Sequence, residues 1–152
     1  MEEVPAATRL AVPEISGESP LFLAGLSMGG FGALRLGAKH PGRFRAVSAH
    51  SAATHQEQFK GLMGERLSAW SDRELDRSAL APMLQNRDRL PPFRFDCGVD
   101  DFLIGPNREL HRDLTAAGIP HTYEEFPGAH TWDYWELHLR DSLRFFAARL
   151  AA

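Results

Sequence analysis

The chain has 152 residues, of which 43% are hydrophobic, 24% charged and 10% aromatic, with 13 glycines, 10 prolines and one cysteine. This composition predicts a single globular domain over residues 1–152 and excludes a disordered chain, a collagen-like repeat and a disulfide scaffold. A formal charge of -3 gives no electrostatic reason to expect binding to nucleic acid or an acidic membrane. No apolar run is long enough to span a membrane and the start is acidic, so we expect a cytoplasmic protein.

Short apolar runs and turn residues divide the chain into alternating strands and helices. In chain order they predict a strand at Leu21–Ala24, a helix over Phe31–His40, strands at Phe44–Ala49 and Phe93–Cys97, a helix from about Asn107 to Gly118, a strand at His121–Phe126 and a helix over Thr131–Leu150. A strand, a helix and a second strand in succession require a parallel sheet with a right-handed crossover. The predicted fold class is therefore α/β, with a mostly parallel sheet flanked by helices.

The last predicted helix has the clearest helical period. Its apolar residues recur at steps of three or four: Trp132, Trp135, Leu139, Leu143, Phe146 and Leu150. Such a stripe is typical of an amphipathic helix. We expect Trp132 and Trp135 to be core residues, and the alternative for Trp132 is a place in the lining of a substrate pocket.

Residues 50–92 differ in composition from the rest of the chain. They are polar and rich in serine and arginine, with short helical patches at Phe59–Trp70 and Arg73–Leu84. We interpret this segment as a small cap insertion within the single domain.

The segment GLSMG at Gly25–Gly29 matches the motif G-x-S-x-G, and it lies between a predicted strand and a predicted helix, as that motif requires. A nucleophile in so sharp a turn adopts strained backbone angles, and Gly25 and Gly29 supply the very small residues that let strand and helix approach. The turn exposes the Ser27 hydroxyl and leaves the N–H of Met28 free to stabilise an oxyanion. The simpler alternative is a glycine-rich turn without chemistry.

A dinucleotide site is a competing interpretation of the same turn. Gly25, Ser27 and Gly30 approximate G-x-G-x-x-G, although serine replaces the middle glycine. A nucleotide site also needs an acidic residue about 20 positions further on, and Ser48–Ser51 (SAHS) contains none. The sequence therefore disfavours dinucleotide binding.

A serine hydroxyl needs an imidazole to remove its proton and a carboxylate to orient that imidazole. Asp96 falls within a predicted strand, whereas Asp100 and Asp101 follow Gly98 at the strand's carboxyl end, on the same sheet edge as Ser27. Spacing does not decide between the last two, although the apolar residues after Asp101 slightly favour it. The alternative for each is an aspartate that forms a turn.

The candidate base is the one downstream histidine that follows the last predicted strand in a loop. His111 and His138 belong to helical patterns and His121 begins a strand, whereas His130 follows Pro-Gly-Ala directly. The resulting order of serine, aspartate and histidine is the order of the α/β-hydrolase arrangement.

Two other reactive residue types have simpler explanations. His50 and His55 have no cysteine or paired carboxylate near them, so we do not expect a zinc site. Cys97 lies in a predicted strand and is expected to be a small buried apolar group.

Three segments together resemble one known family. GLSMGGFGALRLGAKHPGRF, FDCGVDDFL and YEEFPGAHTWDYW are similar to the esterase family that includes esterase D, S-formylglutathione hydrolase, tributyrin esterases and feruloyl esterases. The resemblance covers the chain from about Leu21 to its C-terminus. The family's GxSMGG, G-x-x-D and G-x-H-x-W motifs match at Gly25–Gly30, Gly98–Asp101 and Gly128–Trp132.

This resemblance implies Ser27 as the nucleophile, Asp101 rather than Asp100 as the acid, and His130 as the base. It implies an α/β-hydrolase fold, a small-molecule ester substrate, and neither a metal nor an organic cofactor. The implied activity is that of a serine carboxylesterase, which hydrolyses acyl esters through an acyl-enzyme.

The chain departs from the family at its front, because only 26 residues precede Ser27. On the family's topology it supplies the C-terminal part of the fold, whose first strand would lack one neighbour. An exposed apolar edge favours pairing with another chain, so a homodimer through this edge is a hypothesis. The alternative function is a truncated, weakly active or inactive remnant that acts as an assembly or binding module.

Overall fold

The computed structural model describes residues 3–59 and 73–150. In chain order its elements are α1 (Glu3–Ala11), β1 (Phe22–Leu26), α2 (Ser27–Lys39), β2 (Ala46–His50), α3 (Glu74–Arg77), α4 (Leu80–Gln85), β3 (Phe93–Gly98), α5 (Ile104–Ala116), β4 (Thr122–Phe126) and α6 (Trp132–Ala147), with 3₁₀ turns at Gln56–Phe59 and Arg87–Arg89. Nowhere in these two stretches is a helix both long and apolar enough to cross a membrane.

The four strands form one parallel sheet in the order β1-β2-β3-β4. Leu26 lies opposite His50, and Gly98 lies opposite Phe126, so the carboxyl ends of all four strands meet at one edge. Each strand is connected to the next by a segment that contains helix, as parallel pairing demands. The predicted α/β class with a parallel sheet is confirmed.

Two helices begin earlier than the sequence predicts. Helix α2 starts at Ser27 rather than Phe31, because β1 continues to Leu26 and passes into the helix without a separate loop. Helix α5 starts at Ile104 rather than near Asn107. Both differences lengthen helices at the sheet edge where the candidate site residues lie.

One face of the sheet packs against α2, α4 and α5 and holds the apolar core. The strands contribute Val47, Ala49, Phe93, Phe95 and Cys97, and the helices contribute Phe31, Leu34, Met83, Leu110 and Leu114. Gly37 allows α2 to approach the sheet, because a Cβ there would lie 2.5 Å from Cγ2 of Val47. Burial of these side chains is the main favourable contribution to folding.

The opposite face of the sheet lies beneath α6 and is polar over β2 and β3, whereas β1 contributes the apolar side chains of Phe22 and Leu26. Side chains alternate along a strand, so this face carries the residues between those of the apolar core: Ser48, His50, Arg94 and Asp96. Helix α6 meets them with Tyr134 and Ser142, which hydrogen-bond to that set.

The apolar stripe of α6 is turned mostly outward. Trp132 is 73% exposed, and Leu139, Leu143 and Leu150 are also exposed, whereas Trp135 is buried. The expectation that Trp132 is a core residue is therefore wrong. The physical reason is that α6 docks on a polar sheet face through its own polar side.

The interval 50–92 is described in part. Residues 60–72, which hold most of the predicted patch Phe59–Trp70, lie outside the described residues, and the patch Arg73–Leu84 corresponds to α3 and most of α4. Phe59, Ala79 and Met83 are buried in the core. These parts of the interval therefore pack with the sheet and its helices, and the cap insertion stays a prediction.

Candidate active site

The turn between β1 and α2 holds Ser27 in a strained conformation. Its φ of 54° lies in the left-handed region, which costs a non-glycine residue about 1–3 kcal/mol. Gly25 makes the turn sterically feasible, because a Cβ there would overlap the carbonyl oxygen of Gly29. These features match the strained strand-to-helix turn that the motif predicts.

The prediction that the close approach of strand and helix needs a very small residue at Gly29 is wrong. A Cβ at Gly29 would have no described atom outside its own helix within 4 Å. It is the carbonyl group of Gly29, and not its Cα, that lies against Gly25. The second crowded position is Gly30, where a Cβ would come 2.8 Å from Cβ of Ala52. Gly30, the third glycine of the GLSMGG segment, is therefore the residue that must lack a side chain for α2 to pack against Ala52.

The structure brings the three predicted residues Ser27, Asp101 and His130 together at the carboxyl edge of the sheet. His130 Nε2 lies 2.9 Å from the Ser27 hydroxyl oxygen, and His130 Nδ1 lies 2.8 Å from Oδ2 of Asp101. A neutral imidazole with its proton on Nδ1 donates to Asp101 and accepts the serine hydroxyl at Nε2. The arrangement can therefore move a proton from Ser27 to His130.

Of the two candidate acids, Asp101 rather than Asp100 faces the imidazole. Asp101 is 2% exposed, and its second carboxylate oxygen accepts the N–H of Leu103 at 2.8 Å. Asp100 is exposed, and its own N–H donates to the carbonyl of Gly128 at 2.9 Å. Both carboxylate oxygens of Asp101 thus have a hydrogen-bond partner, which fixes the orientation of the side chain.

Two glycines bring the acid loop and the base loop into contact. A Cβ on Gly98, at the end of β3, would overlap the carbonyl oxygen of Gly128. Gly128 has a φ of 137°, which L side chains rarely adopt, and it comes two residues before His130. Close backbone contact between these loops sets the distance between Asp101 and His130.

The predicted oxyanion donor, Met28, is the second residue of α2. Its backbone N–H precedes the first turn's hydrogen bonds, so it has no acceptor within the helix, and it lies at the positive end of the helix dipole. The side chain of Met28 is half exposed. An N–H in this position can bind negative charge that develops beside Ser27.

Two aromatic rings pack against His130, and the sequence did not single out either one as part of the site. The ring of Phe102 lies 4.6 Å from the imidazole, and Trp135 meets it edge-on at 4.8 Å. Phe102 is mostly exposed, whereas Trp135 is buried. The position of Phe102, directly after Asp101, was the signal available in the sequence.

An apolar cavity of about 450 Å³ opens between β1 and α6. It is lined by Ala24, Gly25, Leu26, His50, Trp132, Trp135, Glu136 and Leu139. Leu26 directly precedes Ser27, so the cavity lies beside the strand end that carries the serine. The exposed ring of Trp132 forms one wall and contacts Trp135 at 5.3 Å.

A metal ion is held in a protein by several histidine, cysteine, aspartate or glutamate side chains that lie close together. No cluster of three or more histidine, cysteine, aspartate or glutamate side chains suited to a metal ion occurs in residues 3–59 and 73–150.

Comparisons with known proteins agree with this fold. The acetyl esterase of Caldicellulosiruptor saccharolyticus is 29% identical over 163 residues, which cover 95% of this chain and 61% of that protein. Among solved structures, the fluorophosphonate-binding serine hydrolase F of Staphylococcus aureus superposes with a TM-score of 0.81 at 20% identity, over 94% of this chain and 60% of that one. A ferulic acid esterase superposes with a TM-score of 0.66 at 32% identity, over 80% and 48%.

This chain thus spans less than two thirds of the length of each of those three proteins. A family model described as "Putative esterase" matches residues 13–146, which include Ser27, Asp101 and His130. The match extends over most of the chain, and we conclude that the chain belongs to this esterase family.

Proposed function

We propose that the chain carries the active site of a serine carboxylesterase, with Ser27 as nucleophile, His130 as general base and Asp101 as the acid that orients it. The observation that carries this proposal is the continuous contact from Ser27 Oγ to His130 Nε2 at 2.9 Å and from His130 Nδ1 to Asp101 at 2.8 Å. The strained φ of Ser27 supports it further, because such strain is commonly found at functional positions.

In the proposed mechanism, His130 Nε2 removes the hydroxyl proton as Ser27 Oγ attacks the ester carbonyl. The negative charge on the carbonyl oxygen is stabilised by the N–H of Met28, and the imidazolium is stabilised by Asp101. His130 then gives its proton to the departing alcohol, which leaves an acyl group on Ser27. A water molecule, deprotonated by His130, attacks this acyl-enzyme and releases the acid.

The Met28 N–H is one oxyanion donor, and a second donor would add considerably to the rate. Removal of one such donor costs about 3 kcal/mol, or on the order of a hundredfold or more in turnover. We therefore expect measurable but slow hydrolysis if Met28 acts alone.

For the substrate we propose a small carboxylic ester whose apolar part occupies the cavity beside Trp132. The names of the similar proteins, acetyl esterase and ferulic acid esterase, support a carboxylic ester. The apolar lining from Leu26, Trp135 and Leu139 supports an uncharged group at this position.

Three broader predictions also stand as proposals. A cap formed by residues 50–92 is supported by its start beside the serine, where the N–H of Ala53 donates to the carbonyl of Ser27 at 3.2 Å. A homodimer through the sheet edge is supported by the partial exposure of β1, since β2 and β3 are buried throughout. A cytoplasmic location remains an expectation from composition.

The test is hydrolysis of p-nitrophenyl acetate and butyrate by the purified chain beside Ser27→Ala, with the molecular mass of each sample recorded. We expect Ser27→Ala to lower turnover by at least about a thousandfold, because the triad's nucleophile supplies most of the catalysis. Asp101→Asn should lose most activity, whereas the matched variant Asp100→Asn should lose little.

Equal turnover in the wild-type chain and Ser27→Ala would overturn the esterase proposal and favour the binding module. A large loss in Asp100→Asn, with none in Asp101→Asn, would overturn the assignment of the acid. A dimeric mass would support pairing through the sheet edge, and a monomeric mass at assay concentrations would exclude it.

A further inference from the structure

A buried polar cluster lies between the sheet and α6, on the side away from the apolar core. Each of its six side chains belongs to a residue that is at most 3% exposed: Ser48, His50, Arg94, Asp96, Tyr134 and Ser142. Charged groups are costly to bury unless they are paired and hydrogen-bonded. A cluster of this kind therefore holds its elements in one arrangement as long as its partners remain in place.

Part of this cluster repeats the residue types of the candidate active site. His50 Nε2 lies 2.7 Å from the Ser142 hydroxyl oxygen, and His50 Nδ1 lies 2.8 Å from Oδ2 of Asp96. Ser142 is completely buried, so no ester can reach its hydroxyl. The cluster is therefore not a second hydrolytic site, and it can influence catalysis only through the positions of neighbouring residues.

Asp96 is the centre of the cluster. Its Oδ2 lies 2.8 Å from Nη1 of Arg94, and its Oδ1 accepts the hydroxyl of Tyr134 at 2.8 Å. The contacts of His50 Nδ1 and Arg94 Nη1 with Oδ2 of Asp96 are short, but neither has the geometry of a hydrogen bond. The Tyr134 hydroxyl is consequently the well-directed link between β3 and α6.

Tyr134 remains a proton donor because its environment disfavours ionisation. Burial and the nearby charge of Asp96 raise the pKa of Tyr134 well above its usual range. The hydroxyl thus keeps its proton and its bond to the carboxylate at any pH at which an ester hydrolase is assayed.

The ring of Tyr134 also packs on the loop that carries His130. A Cβ on Gly128 would lie 2.7 Å from Cδ2 of Tyr134, so the ring lies directly against the Gly128 backbone. Gly128 precedes His130 by two residues, and Tyr134 follows it by four. The loop that holds the imidazole therefore lies between the backbone of Gly98 on one side and the first turn of α6 on the other.

The hydrogen bond from Tyr134 to Asp96 connects the two segments that carry the acid and the base. Asp96 lies on β3, the strand that leads to Asp101, and Tyr134 lies on the helix that begins just after His130. A fixed distance from Asp96 to Tyr134 hence restrains the distance from Asp101 to His130.

We propose that Tyr134, anchored on Asp96, is a positioning residue that aligns His130 between Ser27 and Asp101. This inference rests on the catalytic role proposed for His130. Loss of the hydroxyl would leave the ring in place but free the first turn of α6 and the Gly128 loop to shift. Misplacement by about 1 Å can reduce turnover by about a hundredfold.

The test is Tyr134→Phe, which removes only the hydroxyl. Tyr123→Phe is a matched control, because Tyr123 is the one other tyrosine in the chain and its hydroxyl donates to Glu125 at 2.9 Å. We expect Tyr134→Phe to lower kcat for p-nitrophenyl acetate by about 10- to 100-fold. KM should stay within about twofold, because the residue does not contact the substrate cavity. Tyr123→Phe should leave both constants unchanged.

A second measurement does not depend on turnover. The low-field proton NMR resonance of His130 Nδ1–H reports its bond to Asp101, and we expect it to move upfield or broaden in Tyr134→Phe but not in Tyr123→Phe. A lack of Ser27-dependent turnover in the wild-type chain would refute the proposed function. The position of His130 would then be tested by this resonance alone.

Unchanged kcat and an unchanged His130 resonance in Tyr134→Phe would overturn the inference, even if the variant melts at a lower temperature. If Tyr134→Phe does not fold, Asp96→Asn weakens the same bond and keeps the side chain's shape. A fall in kcat and a shifted resonance in Asp96→Asn would then support the positioning role, and wild-type values for both would refute it.

Discussion

The sheet face that packs against α2, α4 and α5 is lined by Val47, Phe93 and Phe95, whereas the face beneath α6 is lined by Ser48, Arg94 and Asp96. Both faces are almost completely buried at β2 and β3. Strands buried on both faces are usually near-continuous apolar runs. Here the second face is filled by charged and hydroxyl groups that bond to one another, so burial of a strand does not imply an apolar environment on each side.

The difference between the faces also determines which side of α6 is covered. Its buried residues include Tyr134, His138 and Ser142, and its apolar residues Leu139 and Leu143 are exposed. A helix on an apolar face would be expected to dock by its apolar stripe. Helix α6 instead docks on β2 and β3 by hydrogen bonds, while Trp135 is buried and Phe146 packs on Phe22 of β1. Leu139 and Leu143 remain exposed as an apolar surface.

The sharpest test of the comparison is a pair of large-to-small substitutions on the two sides. Phe95→Ala should lower the free energy of unfolding by about 3–5 kcal/mol, because the ring is completely buried in the apolar core. Leu143→Ala on the exposed stripe should change it by less than about 0.5 kcal/mol. Urea denaturation measures both values. A cost for Leu143→Ala close to that of Phe95→Ala would mean that the stripe is covered in solution.

A second substitution tests whether the polar face depends on charge pairing. Arg94→Met should cost about 3 kcal/mol, because it leaves the buried carboxylate of Asp96 without its cationic partner. Adding Asp96→Asn removes the stranded charge, so the double variant should regain at least about 1 kcal/mol in the same urea assay. Strictly additive losses would show that Arg94 and Asp96 stabilise the face independently.

The smallest expected effect concerns Cys97 on the apolar face. Burial, and then the charge of Asp101, raises the pKa of Cys97 to about 12. Because the folded state holds the thiol proton more tightly than the unfolded state, this stabilisation is complete below about pH 9 and is lost as the pH rises towards 12. Iodoacetamide at pH 8 should leave the folded chain unlabelled and should label it fully in denaturant.

Cys97→Ala serves as the control for the pH effect, since it should flatten the decline of the urea midpoint between pH 8 and pH 10. Rapid labelling of the folded chain at pH 8 would contradict the burial of this thiol.

Local sequence patterns predicted much of the fold and part of the candidate site. The four strands appear where apolar runs stand between turn residues, because such runs depend on neighbours close in sequence. The strained turn at Ser27 was likewise visible from the glycine spacing and from the strand and helix around it. Spacing left Asp100 and Asp101 open, and only burial and the orientation of the carboxylate distinguish them in the structure.

What the sequence determined by itself was therefore the α/β class and the order of its elements. It also predicted Ser27 and His130 as site residues, and it left the choice between Asp100 and Asp101 to a family resemblance. The tertiary structure decided which face of α6 is buried and which groups surround His130. No local pattern could reveal the polar cluster, because the hydroxyls of Ser48 and Ser142 lie 2.6 Å apart although 94 positions separate them in the chain. Contacts of that kind arise only when the sheet and its helices pack together, since each partner alone would be an unremarkable polar residue.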